Sequence, residues 1–441
     1  MNKKPVLLAA ILLLSMSLLA CSSSQTQTGD ENKAVGAPAD DNSNGENTNV
    51  AGSSEGTIAE KSEVISISPL TDYVSEEGYE KAAAWKSCDD TALAAVMRKA
   101  MRGEKVVISC IGGSITQGTI SSGQIDGEVP FRRPYADIYR EWWESTFPEA
   151  QVEFINAGIG ATDSYIGVHR VQKDVLDYDP DLVLVEFSVN DSNSNASKTS
   201  YDNLVRRILN ADNNPAVMLL FMGQTNGANA QEQHVLVGFN YNLPMISYAN
   251  YISYAMKENL YTDKQLSSDA VHPSALGHAI TGELIWKYLN NVYENIDAYS
   301  EPTEFSAKPV TKDFYLDSEI LGNADIEPKE YGSFEKSTRF SVFPNDWSTE
   351  SGEGNIIFEI ECSRLGVMYL KTTDGKSGQF EVYVDGELAT SLNADFSGGW
   401  GDYADAQSVY SGESGVHVVE IKKAENSENQ GFTILGLMVA R

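Results

Sequence analysis

Cysteine is scarce in this chain of 441 residues: Cys21, Cys88, Cys110 and Cys362 are too few and too scattered for a disulfide scaffold or for paired thiolate ligands to a metal. Positive charge is short as well, with 32 Lys and Arg against 63 Asp and Glu, a net −31. A body that negative repels phosphate backbones, so nucleic acid is not expected as a partner. The apolar run Val6 to Ala20 stops short of the ~20 residues a membrane-crossing helix needs. What remains is globular in composition, 41% hydrophobic and 22% charged. The length is about three times that of a typical domain, which calls for more than one core.

The first segment reads as an address. Lys3 and Lys4 precede the apolar run, which closes on Leu18-Leu19-Ala20-Cys21. That order resembles the lipobox of bacterial lipoproteins, and the resemblance implies cleavage after residue 20, lipidation of Cys21 and an extracytoplasmic, membrane-anchored protein. Residues 21–62 are rich in Ser, Thr, Asn, Gly, Asp and Glu and poor in bulky apolar side chains, so burial there cannot offset ordering entropy; a flexible polar tether is expected.

Two folded regions follow, expected over 63–297 and 298–441. In the first, short apolar runs alternate with amphipathic stretches, the pattern of βα units around a parallel sheet. Strands are predicted at Val106–Ile111, Val152–Ile155, Leu182–Phe187, Val217–Met222 and Met245–Tyr248. Leu93, Val96, Met97, Ala100 and Met101 recur at helical spacing, as do Leu204, Val205, Ile208 and Leu209, and both sets predict core-facing helices. Beyond residue 300 the period becomes two: Phe380, Val382 and Val384 alternate with Glu381 and Tyr383 before a turn at Asp385-Gly386. Similar runs at Ile356–Glu361, Val416–Ile421 and Phe432–Val439 predict an antiparallel sandwich or jelly roll.

Four short blocks carry chemistry. Ser114 directly follows the first strand in Ile111-Gly112-Gly113-Ser114-Ile115-Thr116, at the carboxyl edge where open α/β sheets hold ligands. In isolation the segment favours a helix cap. Asp269-Ala270-Val271-His272-Pro273 places an Asp where it can reach imidazole Nδ1 and leave Nε2 free as a base. Alone, this is equally a capped turn. Asn156-Ala157-Gly158-Ile159-Gly160-Ala161-Thr162 and Val189-Asn190-Asp191 end the second and third strands in small residues and an amide, donors suited to an oxyanion. Each could be turn chemistry, but the Ser114, Asn156 and Asn190 blocks share one sheet edge and all four come in the right chain order. His278, inside the following helix, is expected to pack.

Together the blocks Gly-Gly-Ser114-Ile-Thr, Asn156-Ala-Gly-Ile-Gly-Ala, Val-Glu186-Phe-Ser-Val-Asn190-Asp and Asp269-Ala-Val-His272-Pro resemble the SGNH hydrolases, also called GDSL-type esterases and lipases, over about residues 87–295. The resemblance implies a three-layer α/β/α, flavodoxin-like domain that needs no metal or organic cofactor. In it Ser114 would be the nucleophile, His272 the base and then acid, and Asp269 its orienting partner. The oxyanion hole would use the Ser114 N–H, the Asn190 side chain and a backbone N–H of Gly160 or Ala161. The family usually has glycine five residues after the block's Asn, where this chain has Ala161. An alanine there is expected to serve if its φ is negative. The implied activity is ester hydrolysis through an acyl-enzyme. The expected substrate is an acetylated cell-wall or plant polysaccharide; Trp400 and Tyr403 of the β-region are candidates to stack on sugar, although an aromatic in a sandwich is more often core. The alternatives are a lipase and a non-catalytic glycan-binding lipoprotein.

Overall fold

A computed structural model describes residues 73–83, 88–121, 133–303 and 305–441. The expected signal segment, Cys21 and the tether lie outside them. In chain order, α1 (Glu76–Ala82) and α2 (Thr91–Met101) lead into β1 (Lys105–Gly112), α3 (Ser114–Gln117), α4 (Tyr135–Thr146), β2 (Gln151–Gly158) and α5 (Ser164–Asp174). There follow β3 (Leu182–Glu186), α6 (Asn195–Leu209), β4 (Ala216–Phe221), α7 (Gln231–Tyr241), β5 (Met245–Ser247), α8 (Tyr248–Lys257), α9 (Asp263–Leu266) and α10 (Ala275–Glu294).

The five strands pair in parallel in the order β2-β1-β3-β4-β5. Strand side chains alternate between faces, and here both faces are apolar. Leu182 and Leu184 of β3 join Ile108 and Cys110 of β1 in a core shared with Leu93 and Met97 of α2, Trp142 of α4 and Ile280 and Leu284 of α10. Val183 and Val185 point the other way, against Val168 and Val171 of α5, Leu204 and Ile208 of α6 and Val237 of α7. Helices on both faces therefore make the expected three layers. The chain leaves β1 for β2 on one side and later returns to β3 on the other, which opens a crevice at the carboxyl ends of these strands.

Local details depart from the expectation at element ends. Tyr248 begins α8 rather than closing a strand, because the Ser247 hydroxyl accepts the Asn250 N–H and starts the helix. Met101, the last residue of α2, is 52% exposed rather than in the core.

The second region holds β6 (Ser318–Leu321), β7 (Glu335–Ser337), β8 (Asp346–Thr349), β9 (Asn355–Lys371), β10 (Gln379–Val384), β11 (Glu387–Asn393), β12 (Tyr403–Lys423) and β13 (Phe432–Ala440). They form one antiparallel sheet, β11-β10-β12-β9-β13-β8-β7, with β6 also on β13. Asp385 and Gly386 both have positive φ, 51° and 84°, as a two-residue hairpin turn with strand-like twist requires. Trp347, Phe358, Phe380 and Phe432 centre its core. A separate cluster joins the two regions: Ile166 of α5 is buried among Met368, Leu370, Ala404, Leu435 and Met438. Arg207 adds polar fastening, donating through Nη1 to the carbonyls of Val168 (2.6 Å) and Ser318 (2.7 Å). Cys110 and Cys362 are free thiols, and Cys88 Sγ accepts the Tyr288 hydroxyl at 3.5 Å.

Candidate active site

The crevice gathers the four blocks. Ser114 opens α3 one residue after Gly113, whose place at the end of β1 admits no side chain: a Cβ there would meet Asn190 Oδ1 at 2.3 Å. The Ser114 turn and the Asn190 loop are thus in direct contact. Asn156 adds a second tie, its Nδ2 donating to the Thr116 carbonyl (2.9 Å) while its Oδ1 accepts the Gly158 N–H (2.9 Å).

The Ser114 hydroxyl lies 2.9 Å from His272 Nε2, and His272 Nδ1 lies 2.7 Å from Asp269 Oδ2. With Nδ1–H donating to the carboxylate, Nε2 carries the lone pair and the serine O–H donates to it. The other carboxylate oxygen accepts the backbone N–H groups of Val271 (2.9 Å) and His272 (2.8 Å) and the Ser267 hydroxyl (3.1 Å). Partial burial raises the Asp269 pKa, but the His272 side chain and these N–H groups outweigh it and hold the carboxyl well below the usual range. Asp269 therefore stays ionised wherever a neutral histidine exists. The His272 and Asp269 side chains remain 26% and 47% exposed, so the site is open to solvent on this side.

His278 takes the structural part expected of it. It accepts the Tyr135 N–H at Nδ1 (3.1 Å) and donates Nε2–H to the Thr119 carbonyl (3.0 Å). Burial lowers its pKa to about 4, so it is neutral and fully engaged.

The Asn156 block resolves differently from its reading in the sequence. The Gly160 N–H is occupied by Gln117 Oε1 at 2.8 Å. Among the described residues the Ala161 N–H has no hydrogen-bond partner. Its φ is +62°, not negative as expected. Among the described residues seven non-glycines have positive φ; five are Asn or Asp, which tolerate the left-handed region, and the other two are Ala161 and Ala270. Both alanines sit in site loops, where backbone strain on the order of 1–2 kcal/mol is held by the surrounding structure.

Glu186, at the end of β3, was visible in the sequence only as part of a block. It is fully buried beneath α3, accepts the Thr116 hydroxyl at Oε2 (3.2 Å) and leaves Oε1 unpaired. Burial, opposed by that hydrogen bond, lifts its pKa from 4.5 to about 7. Between these two values the unfolded carboxyl ionises while the folded one stays protonated, so this group lowers stability as pH rises, and the loss is complete above about 7. Glu186→Gln should therefore stabilise the protein by on the order of 1–3 kcal/mol at pH 8 and by almost nothing at pH 4. Urea unfolding of both proteins at the two pH values measures this, and equal differences at both would contradict it.

A five-stranded parallel sheet of this order with Ser, His and Asp joined in line at its carboxyl edge defines a hydrolase class. The GDSL-like lipase/acylhydrolase family model matches residues 110–280. The chain is similar over most of its length to a two-domain esterase active on acetylated mannans, seen in two crystals. The crystal containing mannopentaose is 32% identical, with 82% of this chain and 98% of that one covered and a TM-score of 0.72. The other is 32% identical, with coverage of 82% and 99% and a TM-score of 0.74. No curated protein matches. The chain belongs to the GDSL-like, or SGNH, hydrolases and is a carboxylic ester hydrolase.

Proposed function

We propose that this protein is a serine esterase that removes acetyl groups from polysaccharides of the acetylated mannan kind. The observation that carries this is the hydrogen-bonded line Asp269–His272–Ser114 beside Asn190. It lies in a chain whose two-domain relative is active on acetylated mannans. Ser114 Oγ attacks the ester carbonyl as His272 Nε2 takes its proton, and negative charge develops on the carbonyl oxygen. The Ser114 N–H, the Ala161 N–H and Asn190 Nδ2 receive that charge. His272 Nε2–H then protonates the departing sugar oxygen as its bond to the acyl carbon breaks, and water activated by the same nitrogen releases acetate.

Two features favour a polymer over a lipid. The Asp269–His272 side of the site is open to solvent. Trp400 is 71% exposed and stacked on Tyr403, centroids 5.0 Å apart at 24°, with the Phe396 edge against both. Such a platform suits the apolar face of a pyranose ring. Trp400→Ala should raise KM for acetylated mannan about 3- to 10-fold while leaving aryl acetate hydrolysis unchanged. An unaltered KM removes the platform from the reading. Acetate release from acetylated mannan, compared with fatty-acid release from long-chain esters, tests the substrate class, and faster long-chain hydrolysis would make the protein a lipase.

The order of charge, apolar run, small residue and cysteine supports lipidation at Cys21, with the polar stretch after it as a spacer from an extracytoplasmic membrane face. Metabolic labelling with an alkynyl fatty acid in a bacterial host should mark the wild type and not Cys21→Ala. Equal labelling of the two would refute the assignment.

A further inference from the structure

We infer that Arg170 is a positioning residue for ester hydrolysis, setting the separation between the nucleophile turn and the oxyanion loop. The inference rests on the serine reading above. Arg170 lies midway along α5, and its side chain is 2% exposed. Nη2 donates to the carbonyl of Gly112 (3.0 Å) and to Thr162 Oγ1 (3.4 Å), while Nη1 donates to the carbonyl of Ala157 (2.7 Å) and to Asp174 Oδ2 (2.8 Å). Gly112 ends β1 two residues before Ser114, Ala157 is one residue from the end of β2, and Thr162 follows Ala161. One planar fork therefore touches both strand ends and the loop carrying the free N–H.

The same loop is drawn in from its other side. The Ile159 N–H reaches the Gly112 carbonyl (3.1 Å), and the Thr162 hydroxyl donates to the Ile159 carbonyl (2.8 Å). Arg170 thus completes a closed ring of hydrogen bonds behind the site, with Ser114 and Ala161 on its rim. Stability alone does not call for a cation here. Burying a guanidinium is costly, and an apolar side chain of similar volume commonly serves as well or better. What an apolar side chain cannot supply is four directed donor contacts in fixed geometry. Lysine cannot supply them either, since its ammonium is a single point on a flexible stem. Misplacement of reacting groups by about 1 Å costs roughly 10²-fold in rate, so a slackened ring should appear in kcat.

The test compares Arg170→Lys, Arg170→Ala and Asp174→Asn with wild type and Ser114→Ala on an aryl acetate. Both Arg170 variants should lose roughly 10²-fold in kcat with KM within about twofold, and their rate of fluorophosphonate labelling should fall in parallel. Asp174→Asn, which leaves all three loop contacts in place, should keep kcat within about threefold of wild type. Guanidinium chloride at millimolar, non-denaturing concentration should restore Arg170→Ala at least about tenfold and leave wild type unchanged, which repair of a merely loosened fold would not do. A folded Arg170→Lys with wild-type kcat overturns the inference, as does an Arg170→Ala protein that guanidinium fails to rescue. Should Arg170→Ala not fold, the lysine variant decides. Full activity in Ser114→Ala would instead sink the serine reading, a result that can be told apart from any Arg170 outcome.

Discussion

Ser114→Ala should lose ester turnover by on the order of 10⁴- to 10⁶-fold while keeping its fold and its affinity for polysaccharide. The reason is geometric. The Ser114 hydroxyl is the group placed 2.9 Å from His272 Nε2, and without it the imidazole has no alcohol to activate. His272→Ala should fall equally far, and the double variant no further, because the two side chains act as one unit and their losses do not add. Removing Ser114 leaves only the preformed cleft and its donors to help water attack the ester. The measurement is kcat on an aryl acetate, with fluorophosphonate labelling as the parallel readout. Either single variant retaining a tenth of the wild-type rate would mean that another nucleophile operates.

Asn190→Ala should lower kcat by roughly 10²- to 10³-fold with little change in KM, the signature of a donor that meets the substrate's charge only as it develops. Asn190 is held for that task, with its amide oxygen turned to Gly113. The next residue, Asp191, anchors the loop by accepting the Ser164 N–H (2.8 Å) and pairing with buried His234 (2.8 Å). Asn190→Asp is the sharper variant, since it replaces a donor by a charge that repels the developing oxyanion, and it should be at least as slow as Asn190→Ala. If both variants kept near-wild-type kcat, the negative oxygen would have to sit elsewhere.

The sheet and the Ser114–His272–Asp269 line were legible in the sequence because each depends on short-range signals. Apolar runs such as Leu182–Val185 are buried on both faces only in a covered parallel sheet. A Ser and two Asn-bearing segments fall at the ends of successive strands, so one edge collects them, and the Asp–His turn stands just before the helix α10 that closes the domain. The β-region was legible through its alternation at Phe380–Val384 and the turn that follows. What escaped notice depends on the third dimension. Arg170 with Asp174 four residues on reads as an ordinary exposed helix pair, and only the packing of α5 reveals that the guanidinium points inward. Ala161 gave no warning of its positive φ, since alanine normally implies the opposite and the loop around it imposes the strain. Trp400 stands in a Gly-rich segment whose composition does not distinguish a buried ring from an open one.

The helix α5 has two clients. Ile166 on one side is seated in the β-region, and Arg170 on another grips the loop beside Ser114. A chimera that transplants this catalytic unit onto a different accessory module would leave Ile166 facing water or an ill-fitting surface, and the disturbance would travel one helical turn to the chemistry. The pair should therefore recombine as a cassette, and swaps that respect only the linker boundary should yield slow enzymes even on soluble esters too small to touch the second module.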